Sequence, residues 1–235
     1  MFDARSSRRQ FLQRTSTASA GILVPTFAFA VSQKAPEAKE KTGEDISPAE
    51  DLMREHGLLN RILLIYDEHL RRLRAKQTFD GSILASAADI VRHFVEDYHE
   101  KLEEDFLFPR FRKAGKLVNL VDTLLAQHKA GRQLTAEIRE LASLATLKYI
   151  SDSDKLAQAL HSFLRMYRPH EAREDTVLFP AFRSIVSPHE YDALGEDFEK
   201  KEDELFGEEG FFKVVDQVAE LENKLGIYEL SQFTP

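Results

Sequence analysis

Two segments of the chain, 71 residues apart, repeat one pattern without a gap. Residues 99–112 read HEKLEEDFLFPRFR and residues 170–183 read HEAREDTVLFPAFR. Both copies hold a histidine, a glutamate four residues later, and a Leu-Phe-Pro-x-Phe-Arg ending. A further histidine precedes each copy, His56 in the first half and His128 in the second. Candidate metal ligands are therefore duplicated together with their spacing, which suggests a site for two metal ions.

The repeated residues fit helices that face a common core. On an α-helix, positions i and i+4 lie about 40° apart around the axis. The histidine and the glutamate of each copy therefore share one helix face. The two upstream histidines, His56 and His128, lie on faces that are otherwise largely apolar. All four faces are expected to point inward.

Helical periodicity predicts the fold class. Ser47-Pro48-Ala49-Glu50 is a helix start, because Ser can cap, Pro fits the first turn and Glu can reach back to the cap. Three more long helical patterns follow, and two shorter ones begin near residues 188 and 211. Strand signals are almost absent from the sequence. We predict an all-α fold, an up-down four-helix bundle with additional C-terminal helices packed on it.

The first thirty residues are typical of a targeting segment. Residues 7–12 form a twin-arginine pattern, SRRQFL, and an apolar stretch then leads to a small-x-small cleavage site at residues 28–30. We expect residues 1–30 to be a twin-arginine signal peptide that directs export to the periplasm. The apolar stretch is too short for a membrane span, so we expect no membrane insertion of the mature chain.

The rest of the chain divides by composition. Residues 31–46 are rich in Lys, Glu, Ala and Pro, as in a disordered linker. Residues 47–186 are expected to form the four-helix bundle, and residues 187–235 a C-terminal helical extension.

Charge and cysteine content exclude several classes of function. The net charge is −8 for the whole chain and −11 without residues 1–30, which argues against nucleic acid as a partner. The chain has no cysteine, which excludes disulfides, thiolate zinc sites, iron–sulfur clusters and thiol nucleophiles. Any metal ion must therefore be held by histidine and carboxylate.

The buried carboxylates favour metal binding over a purely structural role. A histidine on an apolar stripe is commonly a hydrogen-bonded core residue, but a carboxylate in a helical core is costly unless it is protonated, paired or bound to metal. Such nitrogen and oxygen ligands suit iron, manganese or zinc. If both glutamates bridge, each ion keeps open positions for a small ligand. The predicted ligands are His56, His99, Glu103, His128, His170 and Glu174.

In these residues, their order and their spacing, the chain resembles the hemerythrin-like, or His-His-Glu cation-binding, family over about residues 47–186. The resemblance implies a four-helix bundle around a non-haem di-iron centre that binds dioxygen or related molecules. Oxygen-carrying members have a fifth histidine four positions from the one that corresponds to His128. Here those positions are Leu124 and Arg132. The ligand set is more similar to members that sense iron or react with oxygen or peroxide.

Several functional hypotheses follow. The first is an exported protein with two oxo- or hydroxo-bridged irons that binds or reacts with dioxygen, peroxide or nitric oxide and has an unidentified electron donor. The second is a protein that buffers, stores or senses iron, manganese or zinc without redox turnover. The third is an interaction module whose C-terminal helices contact a partner. A ferritin-like di-iron site is disfavoured, because its Glu-x-x-His pairs place the carboxylate first.

The other conspicuous residues are expected to have structural roles. Glu96 and Tyr167 lie three positions before a candidate histidine, and ordinary packing is favoured for them over contact with the ligands. Four carboxylates turn away from the ligand face by helical phase and are expected to be solvated or salt-bridged, namely Glu100, Glu104, Glu171 and Asp175. Four histidines outside the ligand phase are expected at the surface or in caps, namely His69, His93, His161 and His189. Three prolines are expected to kink their helices, namely Pro109, Pro169 and Pro180.

Overall fold

A computed structural model describes residues 46–78, 80–143 and 150–235. In this part of the chain there are six helices and no strand, which confirms the predicted all-α class. The helices are α1 (Pro48–Arg74), α2 (81–114), α3 (Val118–Ser143), α4 (150–182), α5 (Pro188–Phe206) and α6 (Gly210–Leu225). A short 3₁₀ turn, Leu230–Phe233, follows. The predicted signal peptide and all but Ile46 of the predicted linker lie outside the described residues.

Local sequence signals set the helix ends. Ser47 Oγ accepts a hydrogen bond from the Glu50 backbone N–H at 3.3 Å, and the Glu50 carboxylate accepts one from the Ser47 N–H at 3.2 Å. This reciprocal cap is the predicted start of α1. Ser187 caps α5 in the same way, by accepting from a backbone N–H. At the other end of α2, Gly115 has a φ of 63°, the left-handed conformation that glycine adopts without strain.

The first four helices form a closed bundle. Helix α1 packs against α2 and α4, and α3 packs against the same two helices from the other side. Leucine, isoleucine, phenylalanine and tyrosine side chains fill the space between them. No helix of the described residues is long and apolar enough to cross a membrane.

The C-terminal helices pack on the outside of α1 and α2. The Arg61 guanidinium of α1 donates two hydrogen bonds to the Glu222 carboxylate of α6, at 2.5 and 3.1 Å. The Arg54 guanidinium lies 4.6 Å from the ring centroid of Phe211. These contacts and the apolar face of α6 join the extension to the bundle, so residues 47–235 form one compact unit.

Each His-x-x-x-Glu pair leads into a π-helical turn. The turns are Glu103–Leu107 and Glu174–Leu178, and each is followed two residues later by a proline, Pro109 or Pro180. A proline ring clashes with the carbonyl four residues earlier, and the wider π turn moves that carbonyl away. At Pro109 and Pro180 the helix therefore widens into a π turn. Pro169, in contrast, lies inside the α-helical part of α4.

A close contact between α3 and α4 generates the first prediction. A Cβ atom at Gly131 would lie 2.1 Å from the Tyr167 hydroxyl oxygen, and that side chain is buried. We expect Gly131→Ala to lower the free energy of unfolding by about 1–3 kcal/mol through overpacking. The control is Gly57→Ala, because nothing lies within 4 Å of a Cβ there; it is expected to stabilise α1 by up to about 1 kcal/mol. Urea denaturation of the metal-free variants measures both, and equal stabilities would contradict the described position of Tyr167.

Candidate metal centre

The six predicted ligands lie together in the middle of the bundle. Helix α1 provides one, α2 two, α3 one and α4 two. All six are buried, and none is more than 4% exposed. They are His56, His99, Glu103, His128, His170 and Glu174.

Glu174 lies between two histidines from different helices. Its Oε2 atom is 3.4 Å from His56 Nε2 on α1 and 3.1 Å from His170 Nε2 on its own helix. A carboxylate between two imidazole nitrogens completes a group of side chains that could hold a metal ion.

Glu103 has the corresponding position in the first half of the bundle. Its Oε2 atom is 3.9 Å from His99 Nε2 and 3.4 Å from His128 Nε2. His99 Nε2 is in turn 3.1 Å from His56 Nε2. The four histidines thus form two pairs, and each glutamate contacts one member of each pair.

The inward-facing atoms lack hydrogen-bond partners. Both carboxylate oxygens of Glu103, both of Glu174 and the Nε2 atom of His128 are buried and make no hydrogen bond. A buried carboxylate without a partner is costly, so native proteins rarely leave one in that state. Four such oxygens beside four imidazoles are a donor set that fits a pair of metal ions.

Each imidazole is held from outside through its Nδ1 atom. The partner is a carboxylate for three rings and a side-chain amide for the fourth. The pairs are His56 with Asp175 at 2.7 Å, His99 with Glu55 at 2.7 Å, His128 with Glu104 at 3.1 Å and His170 with Gln127 at 3.0 Å. Because these oxygens accept, Nδ1–H donates and the lone pair of Nε2 faces inward. Metal-ligating histidines are oriented in this way.

The acidic surroundings favour protonated imidazoles where no metal ion is bound. Burial opposes the charged form of His128, but the carboxylates of Glu103 and Glu104 beside its two ring nitrogens outweigh it and raise the pKa of this ring to about 10. Burial likewise opposes the charged form of His56, whereas Asp175 and Glu174 raise its pKa well above the usual value. Because a metal ion must displace these protons, metal affinity rises with pH.

Two glutamates that we expected to be solvated or salt-bridged are buried. Glu100 and Glu171 are 1% and 2% exposed. Glu100 accepts a hydrogen bond from the Tyr167 hydroxyl at 2.7 Å and lies 2.7 Å from Arg132, and Glu171 accepts one from Asn60 at 2.5 Å. Neither residue is solvated, although Glu100 has the expected salt bridge with Arg132. A side chain about 100° around the helix from a ligand still faces a neighbouring helix. Ordinary packing is also an insufficient description of Tyr167, since it makes a specific hydrogen bond.

His69 is a second correction. It was expected at the surface, but it is fully buried, and Nδ1 donates to the Ile65 carbonyl at 2.8 Å. Burial lowers its pKa, so the neutral ring is favoured. The other three histidines outside the ligand phase are exposed, as expected. The error arises because α1 is also covered by α5 and α6, which the repeat alone does not indicate.

Sequence reasoning missed the outer partners Glu55 and Gln127. Each directly precedes a candidate histidine, so extending the repeat by one residue would have found both. Glu55 also lies beside two other buried carboxyl groups, those of Asp51 and Glu202, which converge from α1 and α5. This second acidic cluster depends on the position of the C-terminal extension and has no counterpart in the repeat.

Comparison with known proteins places the chain in a family. Residues 47–182 match the hemerythrin HHE cation-binding domain, and residues 119–206 match it a second time. The chain therefore belongs to this family. It is 43% identical over 235 residues to the uncharacterized proteins Mb2018 of Mycobacterium bovis and MT2051 and Rv1995 of Mycobacterium tuberculosis. These alignments cover 97% of this chain and 91% of each relative. No solved structure matches the chain.

A buried glutamate beside the centre gives a prediction for pH dependence. Burial raises the pKa of Glu96 to about 7, against the opposing effects of Thr135 and of Arg92, whose Nη1 lies 2.8 Å from the carboxylate. In the unfolded chain this group has a pKa of about 4.5. The folded state therefore binds the proton more tightly, and this contribution to stability is present below about pH 4.5 and lost as the pH rises through about 7.

We expect Glu96→Gln to reduce the fall in unfolding free energy between pH 4.5 and 8 by about 1–3 kcal/mol. Urea denaturation of the chelator-treated protein across this pH range measures the effect. Asp97→Asn removes an exposed neighbouring carboxylate and serves as the control that keeps the original slope. An unchanged slope in Glu96→Gln would mean that Glu96 is already ionised in the folded protein at the lower pH values.

Proposed function

We propose that this protein is an exported non-haem di-iron protein whose centre binds or reacts with dioxygen, peroxide or nitric oxide. The observation that carries the proposal is the convergence of four imidazole Nε2 atoms on four buried, unbonded carboxylate oxygens. Family membership and the absence of cysteine support a site built from nitrogen and oxygen donors.

The ligands divide between two ions. His56 and His99 would hold one ion, and His128 and His170 the other, with the two glutamates shared between them. Two histidines and two carboxylate oxygens leave each ion with open positions. A bound pair of irons would supply a redox-active, Lewis-acidic centre for a small oxygen- or nitrogen-containing ligand.

The chain itself orients the site and restricts water. Phe108 stacks on His128 with ring centroids 5.5 Å apart, and Phe179 stacks on His56 at 5.4 Å. These rings cover the imidazoles and exclude water from their faces. Tyr167 keeps a proton on its hydroxyl, because burial and Glu100 raise its pKa well above the usual value. Its ring centroid is 5.5 Å from that of His170, so the ring packs beside this ligand while its hydroxyl donates to Glu100.

The presence of arginine at position 132 favours a reactive or sensing centre over reversible oxygen carriage. Arg132 occupies a position where oxygen carriers of the family have a fifth histidine. Its guanidinium lies 2.7 Å from Glu100 and 2.8 Å from Glu104, so it is engaged with the outer carboxylates. A cation cannot ligate a metal ion, so this position contributes charge instead of a ligand.

Export is proposed from the twin-arginine pattern in residues 7–12. The twin-arginine pathway carries folded proteins, which agrees with metal loading before transport. We expect the periplasmic fraction to contain a chain that lacks about thirty N-terminal residues, and Arg8→Lys/Arg9→Lys to abolish its appearance there. Intact-mass measurement of both fractions tests this, and an unprocessed cytoplasmic chain would contradict export.

Metal content tests the ligand assignment. We expect two irons for each chain and loss of at least one in Glu103→Gln/Glu174→Gln, measured by elemental analysis after anaerobic loading. Bound metal should raise the unfolding free energy by about 2.7 kcal/mol at a free concentration one hundred times Kd, and a chelator should remove this gain. Asp105→Asn, an exposed carboxylate on the same helix, is the control. Full iron occupancy in the double variant would exclude the two glutamates as bridges.

Anaerobic optical titration tests reactivity. We expect ligand-to-iron charge-transfer bands when oxygen is added to the reduced, iron-loaded protein. Bands that disappear under vacuum would indicate reversible binding, whereas decay to stable oxidised iron would indicate redox turnover. The absence of any band would contradict the proposal and favour metal buffering or storage without redox chemistry.

A further inference from the structure

The two halves of the centre are related residue by residue, beyond the ligands themselves. The outer partners Glu104 and Asp175 occupy equivalent places in the repeat, each one residue after a bridging glutamate. Glu55 and Gln127 are likewise equivalent, each one residue before a histidine ligand. The inner ligands of the two halves are identical in type, so a difference between the metal positions must come from the residues around them.

The outer partners of the two halves differ in charge at one place. The first position is defined by His56 and His99, and both of their Nδ1 atoms donate to carboxylates, at 2.7 Å each. The second position is defined by His128 and His170, whose Nδ1 atoms contact one carboxylate and one amide, at 3.1 and 3.0 Å. Gln127 therefore stands where the repeat has Glu55, and it removes one negative charge from behind the second position.

Both carboxyl oxygens of Glu55 accept hydrogen bonds. Its Oε2 atom accepts from His99 Nδ1 at 2.7 Å, and its Oε1 atom accepts from the Tyr98 hydroxyl at 3.1 Å. The side chain is 2% exposed, so water hardly weakens its effect on the ring. Gln127 is only half-buried and acts through a neutral amide oxygen.

A second difference also reduces the negative charge behind the second position. Arg132 lies 2.8 Å from Glu104, the carboxylate behind His128, and partly neutralises it. The repeat-equivalent residue in the other half is Asn60, which is neutral and donates to Glu171. Lys101 also pairs with Glu104, so the second position has one carboxylate fewer and two cations more among its outer contacts.

We propose that the two metal positions are unequal, and that the His56–His99 position binds a divalent ion more tightly and fills first, with Glu55 and Gln127 as the positioning residues that set the order. The inference rests on the two-metal site of the proposed function. A carboxylate that accepts from Nδ1–H makes the imidazole a more basic ligand and adds negative charge near the ion, whereas an amide does neither to the same degree. At limiting metal the protein therefore holds one ion.

The location of the first ion is the decisive observation. Two ions that share bridging glutamates repel each other, so stepwise binding alone would also occur in a symmetric site. We therefore propose to titrate Zn²⁺, a diamagnetic probe, into metal-free protein labelled with ¹⁵N in its histidines. Direct ligation shifts the Nε2 resonance of the bound ring, and His56→Gln and His128→Gln assign the two pairs.

We expect the resonances of His56 and His99 to shift before those of His128 and His170. Gln127→Glu should tighten the second position by roughly ten- to one-hundred-fold, so that both pairs shift together. Glu55→Gln should weaken the first position by a similar factor. The exchange variant Glu55→Gln/Gln127→Glu restores the total charge and should reverse the order of filling. A merely structural role for these residues would not reverse it.

Gln127→Glu keeps the test decisive if Glu55→Gln does not fold, because its side chain is half-buried and its volume is almost unchanged. Parallel filling of both pairs in the original protein, or an order that Gln127→Glu leaves unchanged, would overturn the inference while leaving a two-metal site intact. Failure to bind two zinc ions at all would instead overturn the two-metal site of the proposed function, and this inference with it.

Discussion

The structure depends on the burial of two carboxylates. Glu103 and Glu174 are fully buried between four imidazoles, and none of their oxygens makes a hydrogen bond. Such groups would destabilise a helical core unless cations compensate them. The four histidines, their outer hydrogen bonds and the stacked rings of Phe108 and Phe179 all serve this arrangement. The centre is thus the main electrostatic constraint on the fold.

Duplication explains how four helices supply such a site. Helices α1 and α2 provide one set of ligands, and α3 and α4 repeat it with the same spacing. The second family match, over residues 119–206, begins in α3 and reflects this repeat. Because the candidate ligands are of the same types in both halves, chemical differences between the halves of the site come from neighbouring residues that differ between the two copies of the repeat. Glu55 and Gln127 are one such pair, and they accept hydrogen bonds from candidate histidine ligands. Asn60 and Arg132 are another pair, and they contact carboxylates next to the ligands.

Prediction from sequence succeeded where a short pattern of residues is compatible with only one local structure. The i, i+4 histidine–glutamate pairs and the Ser-Pro-x-Glu helix starts are of this kind, and the structure has helices with these caps and faces. Prediction failed where burial depends on a neighbouring helix. Glu100 and Glu171 were expected to be solvated or salt-bridged because they lie off the ligand face, yet adjacent helices bury them and supply Tyr167 and Asn60 as partners. His69 is buried for the same reason.

The sequence by itself determined the helical class, the approximate helix ends and six residues able to hold metal, because helical periodicity, capping and i, i+4 geometry act over a few neighbouring residues. Only the tertiary structure decided how the two histidine pairs face each other, which atom holds each Nδ1, and that the C-terminal helices cover α1 and bring Glu202 beside Glu55. These contacts join residues that are distant along the chain. Their distances follow from how whole helices pack, and packing depends on the shape and charge of every side chain in the interface.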